Sequence, residues 1–186
     1  MNKDLEFLTR VIDEKSAKVL DANDKIWEYA ELAFHETRSA ALLKSILKEE
    51  GFTLTEGDAG IPTCFTGTFS YGTGKPVMGI LGEYDALSSL SQKAADPHKD
   101  PLKEGAPGHG CGHNVIATCA SGAFASLAKI FVEMGIAGEV RIIGTPAEEG
   151  GAGKAIMLER GGFDGVDFAL MIHPTCGGES RNYINR

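Results

Sequence analysis

The order of apolar and polar positions predicts helices in the first part of the chain. Between residues 5 and 33, apolar side chains recur at three- and four-residue steps, which is typical of amphipathic helices. The Asp and Asn residues at 21–24 predict a break and the start of a second helix, because these residue types favour helix N-caps. The same spacing predicts a helix over 36–50, which Gly51 would end as a C-cap residue.

The pattern then changes to one typical of strands. Residues 53–56 and 63–71 are rich in Thr, Phe and Tyr, which are common in strands. Residues 77–82 are almost entirely apolar, as expected of a strand that is buried on both faces. Two further apolar runs, at 138–144 and 166–172, predict two more buried strands.

Helices and loops separate these strands. Apolar stripes predict helices over 114–134 and 154–160, and residues 179–185 predict the start of one more strand. The polar stretch 88–108, which contains three prolines, predicts a long loop, and 145–151 predicts a shorter one. Strands that alternate with helices indicate an α/β fold, with helices on both faces of the sheet.

Composition narrows the class of protein. The chain has 186 residues, of which 42% are hydrophobic and 24% charged, as expected of one globular domain. The formal net charge of -8 argues against an extended nucleic-acid surface. We expect no membrane span and no signal peptide. The four cysteines form no Cys-x-x-Cys pair, which predicts reduced thiols and a cytoplasmic protein.

The glycine-rich stretch 107–114 carries the first chemical signal. Cys111 and His113 lie two residues apart, and His109 precedes Cys111 by two. Thiolate and imidazole are ligands that zinc and similar ions select, and the glycines would let the backbone approach an ion closely. By itself this stretch is equally compatible with an ordinary glycine-rich loop.

Three of the predicted strands end in residues that could bind or act at a metal ion. Glu83 and Asp85 follow the first, Glu148 and Glu149 follow the second, and His173 follows the third. If the strands are parallel, these groups and the cysteine loop meet at one edge of the sheet. Each residue alone could belong to a solvated loop, a turn or the core. The convergence of the set favours a metal site.

The residue types in this set also suit a common chemistry. The candidate metal ligands are Cys111, His113, Glu149 and His173. One ion cannot use all four and keep an open position for water, so two ions that share a bridging ligand are favoured. Glu148, beside the ligand Glu149, could take a proton from water and pass it to a leaving amine. That chemistry is amide hydrolysis.

Four stretches resemble the amidohydrolase branch of the aminoacylase/carboxypeptidase metallopeptidases. They are Gly82–Leu87, Gly108–Asn114, Pro146–Gly151 and Met171–Pro174. This branch includes hippurate hydrolases, hydrolases of auxin–amino acid conjugates and aminobenzoyl-glutamate hydrolase, and the chain is most similar to the last type. The resemblance implies a three-layer α/β/α catalytic domain like that of zinc peptidases, with a mixed, mostly parallel sheet.

The resemblance also implies a role for each candidate residue. Cys111 would bridge two divalent metal ions, Zn²⁺ or Mn²⁺, with His113, Glu149 and His173 as further ligands. Glu148 would be the general acid/base and Asp85 would orient the site. The substrate would be an N-acyl amino acid or a small peptide.

Two positions depart from the ligand pattern of these relatives. Glu83 stands where many of them have a metal-binding histidine, so we expect that ligand to be absent. His109 is expected to support a ligand rather than bind the metal.

Length is a further departure from the family. Members of this family are about twice as long, with a lid and dimerisation domain inserted after this point. The resemblance therefore implies that residues 1–186 are the N-terminal portion of the catalytic domain, without the lid domain and the C-terminal catalytic segment. We expect weak or no activity from this chain alone, and a homo-oligomer in full-length relatives.

The residues alone are also compatible with two other functions. Cys111 could be the nucleophile of a cysteine hydrolase with His113 or His173 as base, although this leaves Glu148 and Glu149 without a role. The chain could also be a non-catalytic module that binds metal. A phosphate-binding loop at 151–155 is disfavoured, because its leading glycine and its Ser/Thr are missing.

Overall fold

The computed structural model describes residues 3–174, which form a five-stranded sheet with helices on both faces. The predicted strand at 179–185 lies outside the described residues. The helices are α1 (Lys3–Tyr29), α2 (Thr37–Glu49), α3 (His113–Met134), α4 (Glu148–Gly151) and α5 (Gly153–Glu159). The strands are β1 (Thr53–Glu56), β2 (Phe65–Tyr71), β3 (Val77–Gly82), β4 (Gly138–Gly144) and β5 (Phe168–Leu170).

Helix α1 is continuous, so the predicted break at 21–24 is wrong. Ala22 and Ile26 are buried, and the apolar stripe of the helix therefore continues through the polar residues. Asn23 does not cap a new helix; its side chain accepts a hydrogen bond from Asn114 at 2.9 Å. Packing of this stripe against the core outweighs the local preference of Asp and Asn for a helix start.

The sheet has the order β1-β2-β4-β3-β5. β1 and β2 are antiparallel, and so are β2 and β4. β3 lies between β4 and β5 and is parallel to both. The three strands that we expected to end at one edge therefore do so. The third is shorter than predicted, and the loop at 145–151 contains the single turn α4.

The two faces of the sheet are both covered. Ile80 and Ile142 point towards a core shared with α1, α2 and α3. Their neighbours Leu81 and Ile143 belong to a second apolar cluster that includes Met157 of α5. Successive residues of a strand face opposite sides, so the two clusters define the outer layers of an α/β/α arrangement. The predicted fold class is confirmed.

Helix α3 is the central helix of the larger core. By length and composition alone it could cross a membrane, which the sequence analysis did not anticipate, but 61% of its most apolar window is buried inside the protein. It packs closely on α1, where a side chain at Gly122 would meet Val19 at 2.6 Å. The apolar character of α3 is thus explained by its place between α1 and the sheet.

The long loop at 88–108 is closed at its base. Leu87 and Gly108 each donate a backbone hydrogen bond to the other's carbonyl oxygen, both at 3.0 Å. A Cβ at position 108 would lie 2.1 Å from the carbonyl oxygen of Leu90, so only glycine fits there. This closure places the start of the glycine-rich stretch 107–114 beside the residues that follow β3.

Glu50, at the end of α2, joins this helix to α1 through Lys15 and Lys18. Its side chain is only 14% exposed. Burial opposes ionisation, but the hydrogen bonds from Lys15 and Lys18 outweigh it and hold the pKa of Glu50 below its ordinary value. A carboxyl group with a lowered folded pKa stabilises the fold above its unfolded pKa and loses that contribution as the pH falls.

We expect Glu50→Gln to lower the free energy of unfolding by about 1 kcal/mol near neutral pH. The difference from wild type should shrink as the pH falls below the unfolded pKa of glutamate, about 4.3, and through the lower pKa of folded Glu50. Urea denaturation followed by circular dichroism measures both values. Glu49→Gln is the matched control, because Glu49 is 60% exposed and its one ion pair within residues 3–174 is with Lys18. A loss of unfolding free energy in Glu50→Gln that is equal at all pH values would contradict this account.

Candidate active site

The carboxyl edge of the parallel strands brings the candidate residues together. Asp85 follows β3, Glu148 and Glu149 begin α4 after β4, and His113 is the first residue of α3. Asp85 is 1% exposed and His113 is fully buried. Buried ionisable groups need partners, so the contacts of these side chains define what the site can hold.

His113 is oriented by Asp85. Its Nδ1 lies 3.0 Å from the backbone carbonyl oxygen of Asp85 and 3.0 Å from Asp85 Oδ1. Both oxygens are acceptors, so Nδ1 carries the proton and donates it. Nε2 then presents its lone pair to the site, as in histidines that bind metals with a carboxylate behind them.

Nε2 of His113 faces two carboxylate oxygens. It lies 3.2 Å from Glu83 Oε2 and 3.8 Å from Glu149 Oε1. All three atoms are buried, and none has a hydrogen-bond partner among the described residues. Three acceptors at this spacing need a positive charge between them. Donors about 2.1 Å from a tetrahedral zinc ion are about 3.4 Å apart, so the spacing fits a metal ion.

Cys111 and His173 lie next to this group. Cys111 Sγ is 3.3 Å from His173 Nε2, and the imidazole rings of His113 and His173 are 5.9 Å apart and nearly perpendicular. The ligand atoms of Cys111, His113 and His173 all lie within 4.8 Å of one another. The ligand atoms of Glu83, His113 and Glu148 also lie within 4.8 Å of one another. The two groups share His113, so each could supply donors to a separate cation.

The site is strongly negative, and this sets the state of the thiol. Burial, followed by the hydrogen bond with Glu149 and the charges of Glu149, Glu83 and Glu148, raises the pKa of Cys111 to about 11. Without a cation nearby, the thiol is therefore protonated at neutral pH. A nucleophilic cysteine needs the opposite surroundings, so the structure disfavours the cysteine hydrolase.

The same negative charges act on the buried side chain of His113. Burial disfavours the charged imidazolium, but the hydrogen bond with Asp85 and the charges of Glu83, Asp85 and Glu149 outweigh it and raise the pKa of His113. A proton and a metal ion would thus compete for Nε2.

Asp85 also holds the glutamate segment in place. Its Oδ2 accepts a hydrogen bond from the backbone N–H of Glu149 at 2.8 Å, while Oδ1 binds His113. Burial alone would raise the pKa of Asp85, but these hydrogen bonds lower it. One carboxylate thus fixes both a candidate metal ligand and the turn that carries another.

Comparison with known proteins identifies the family. Residues 79–183 match the model of peptidase family M20/M25/M40, which is more than half of the chain. The chain belongs to this family.

Individual relatives support the assignment of the chain to the M20 family. It is 42% identical to a p-aminobenzoyl-glutamate hydrolase of Escherichia coli over 94% of its own length and 36% of the relative's. It is 31% identical to the Xaa-Arg dipeptidase of Mus musculus, over 88% of its own length and 36% of the relative's. The chain thus spans little more than a third of these relatives.

A solved structure shows the same architecture. The YXEP protein of Bacillus subtilis is described as a dinuclear metal binding peptidase from the M20 family. Its TM-score with this chain is 0.72 at 26% identity, covering 92% of this chain and 44% of that protein.

Glu36 is buried in this M20 chain. Sequence analysis did not predict its role beside the site. Its Oε1 accepts hydrogen bonds from the backbone N–H groups of Phe34 at 3.0 Å and Ala147 at 2.8 Å. Its Oε2 accepts one from the hydroxyl of Thr63 at 2.9 Å. Phe34 and Ala147 have φ angles of 63° and 60°, a left-handed conformation that costs energy for residues other than glycine.

Glu36 therefore stabilises the strained turn that directly precedes Glu148 and Glu149. From the sequence it was only the first residue of a predicted helix, and no local signal distinguishes it from other glutamates at helix starts. The contact with Ala147 spans 111 residues, so it becomes visible only in the fold.

His109 is placed differently from the other histidines of the site. Its Nε2 donates to the backbone carbonyl oxygen of Ile26 at 3.0 Å, and burial lowers the pKa of His109 to about 4. It ties the cysteine stretch to α1 as a neutral side chain. It is in neither group of clustered ligand atoms found in the described part of the chain.

We expect Glu36→Ala to lower the free energy of unfolding by about 3 kcal/mol, because three buried donors lose their acceptor. Glu36→Gln should cost less than half as much, since its amide oxygen can still accept both backbone N–H groups and Thr63 can accept from its amide nitrogen. Urea denaturation measures stability, and hydrogen exchange at the Ala147 amide measures the local effect. Equal losses for the two variants would contradict this role.

Proposed function

We propose that this chain contributes the metal centre of a metal-dependent amidohydrolase that cleaves N-acyl amino acids. The observation that carries the proposal is the set of buried, unpartnered acceptors, His113 Nε2, Glu83 Oε2 and Glu149 Oε1, beside Cys111 in the described part of the chain. Their spacing and their shared need for positive charge support a divalent cation. The family assignment supports hydrolysis of an amide bond.

Cys111, His113, Glu149 and His173 are the residues that would hold two divalent ions, Zn²⁺ or Mn²⁺. Their sulfur, nitrogen and oxygen donors suit both metals. When bound, the ions would act as Lewis acids that polarise the amide carbonyl and make a water molecule more acidic. They would also compensate the negative charge that the site concentrates, and so keep the thiol of Cys111 deprotonated.

Glu148 is the proposed general acid/base. It belongs to the clustered group with Glu83 and His113 but is exposed, so a substrate and water can reach its carboxylate. It would take a proton from the attacking water and give it to the leaving amine. Asp85 would keep His113 and the backbone of Glu149 in position through the hydrogen bonds described above.

For the substrate, we propose an N-acyl amino acid or small peptide, with an N-aroyl compound such as p-aminobenzoyl-glutamate as the first to test. The names of the two relatives support this class, since each describes cleavage of an amide bond to an amino acid. We further propose that the enzyme is cytoplasmic and that its full-length relatives form homo-oligomers.

The chain spans 36% of the length of both relatives. We infer that residues 1–186 supply the N-terminal portion of the catalytic domain and turn over substrate slowly or not at all by themselves. Rapid turnover by the purified 186-residue chain would contradict this part of the proposal.

The purified chain is expected to bind Zn²⁺ or Mn²⁺ and to melt at a lower temperature after EDTA treatment. Binding to the folded state at about 100 times the dissociation constant stabilises it by about 2.7 kcal/mol. Plasma mass spectrometry measures the metal content and differential scanning fluorimetry the melting temperature. Cys111→Ser should lower the metal content, whereas Cys119→Ser, which removes an exposed thiol, should not. Equal metal content in both variants would count against the site.

Glu148→Gln is expected to slow hydrolysis of p-aminobenzoyl-glutamate at least about 100-fold without changing the metal content. Because turnover by this chain is expected to be slow, chromatography should follow a single turnover with protein in excess over substrate. Hydrolysis that survives chelation and leaves an acyl group on Cys111 in the mass spectrum would establish a cysteine hydrolase instead.

A further inference from the structure

Glu83 occupies a central place in the site without a role in the proposed ligand set. It follows β3 directly and is only 2% exposed. Its Oε2 lies 3.2 Å from Nε2 of His113 and has no hydrogen-bond partner in the described part of the chain. A buried carboxylate oxygen placed against another acceptor is unfavourable unless a positive charge lies between them.

The other oxygen of Glu83 is already occupied. Oε1 forms an ion pair with the ammonium group of Lys154, which extends from α5 and is 29% exposed. The pair fixes the orientation of the carboxylate and compensates its charge on the side away from His113. It leaves Oε2 facing His113 Nε2 at 3.2 Å, and Glu149 Oε1 lies 3.8 Å from the same nitrogen.

We infer that Glu83 is itself a metal ligand. Its Oε2, together with His113 Nε2 and Glu149 Oε1, forms one cation position with one nitrogen and two oxygen donors. Cys111 and His173 lie at the adjacent position. Lys154 is the positioning residue that holds Glu83 in place. This inference rests on the metal centre of the proposed function and replaces our expectation that the first-strand ligand is absent.

The donor set has a consequence for metal choice. Carboxylate oxygens favour harder ions such as Mn²⁺, whereas thiolate favours Zn²⁺. A position with two carboxylates and one imidazole should therefore accept Mn²⁺ more readily than the position beside Cys111. Removing the Glu83 carboxylate should weaken Mn²⁺ binding more than Zn²⁺ binding.

The test is isothermal titration of Mn²⁺ and Zn²⁺ into the metal-free 186-residue chain. Glu83→Gln keeps the shape of the side chain and should weaken one equivalent of Mn²⁺ more than about 100-fold, beyond the usual effect of a group that only supports a ligand. Glu159→Gln is the matched control, because it removes an exposed carboxylate of α5 that lies in neither group of clustered ligand atoms in the described part of the chain. It should leave both affinities within about threefold of wild type.

The outcomes separate this inference from the proposed function. If wild type binds neither ion, the proposed metal centre is wrong. If wild type binds and Glu83→Gln binds with unchanged affinity, Glu83 is only the ion-pair partner of Lys154 and the inference alone fails. Should Glu83→Gln not fold, an anomalous-scattering map of Mn²⁺-loaded wild type decides the matter. Glu83 Oε2 is expected about 2.1 Å from the ion, and an ion out of reach of Glu83 would overturn the assignment.

Discussion

The hydrogen bonds of Asp85 are the constraint on which the site depends. One oxygen of this buried carboxylate accepts the Nδ1 proton of His113, and the other accepts the backbone N–H of Glu149. The first bond directs the Nε2 lone pair of His113 into the site, and the second fixes the turn after β4. Because both partners belong to elements distant in sequence, the loop after β3 aligns the start of α3 with the start of α4.

Much of this arrangement could be predicted from the sequence, because parallel strands bring their carboxyl ends to one edge. The apolar runs of β3, β4 and β5 and the residues that follow them predicted that Asp85 and Glu149 would lie near His113, and His173 near Cys111. The continuity of α1 could not be predicted, since the Asp and Asn residues at 21–24 favour a helix start locally. Only the buried stripe and the contact of Asn23 with Asn114 outweigh that preference.

The contacts that sequence analysis missed share a physical character. Glu36 reaches Ala147 and Lys154 reaches Glu83 across 111 and 71 residues of chain. A glutamate or lysine at such a position looks like any solvent-exposed charge on a helix until the fold shows that it is buried or paired. These two contacts add fixed charges and hydrogen bonds beside the candidate ligands and so restrict their positions.

The two backbone hydrogen bonds between Leu87 and Gly108 separate the long loop mechanically from the residues that precede and follow it. Both ends of the loop are fixed by the same pair of backbone hydrogen bonds, so a change in its length need not move Asp85 on one side or Cys111 on the other. An insertion or deletion there costs little, because the entropy of loop closure depends only weakly on length. Evolution, or a protein engineer, could therefore change the length of this segment while the chemistry of the site stays intact.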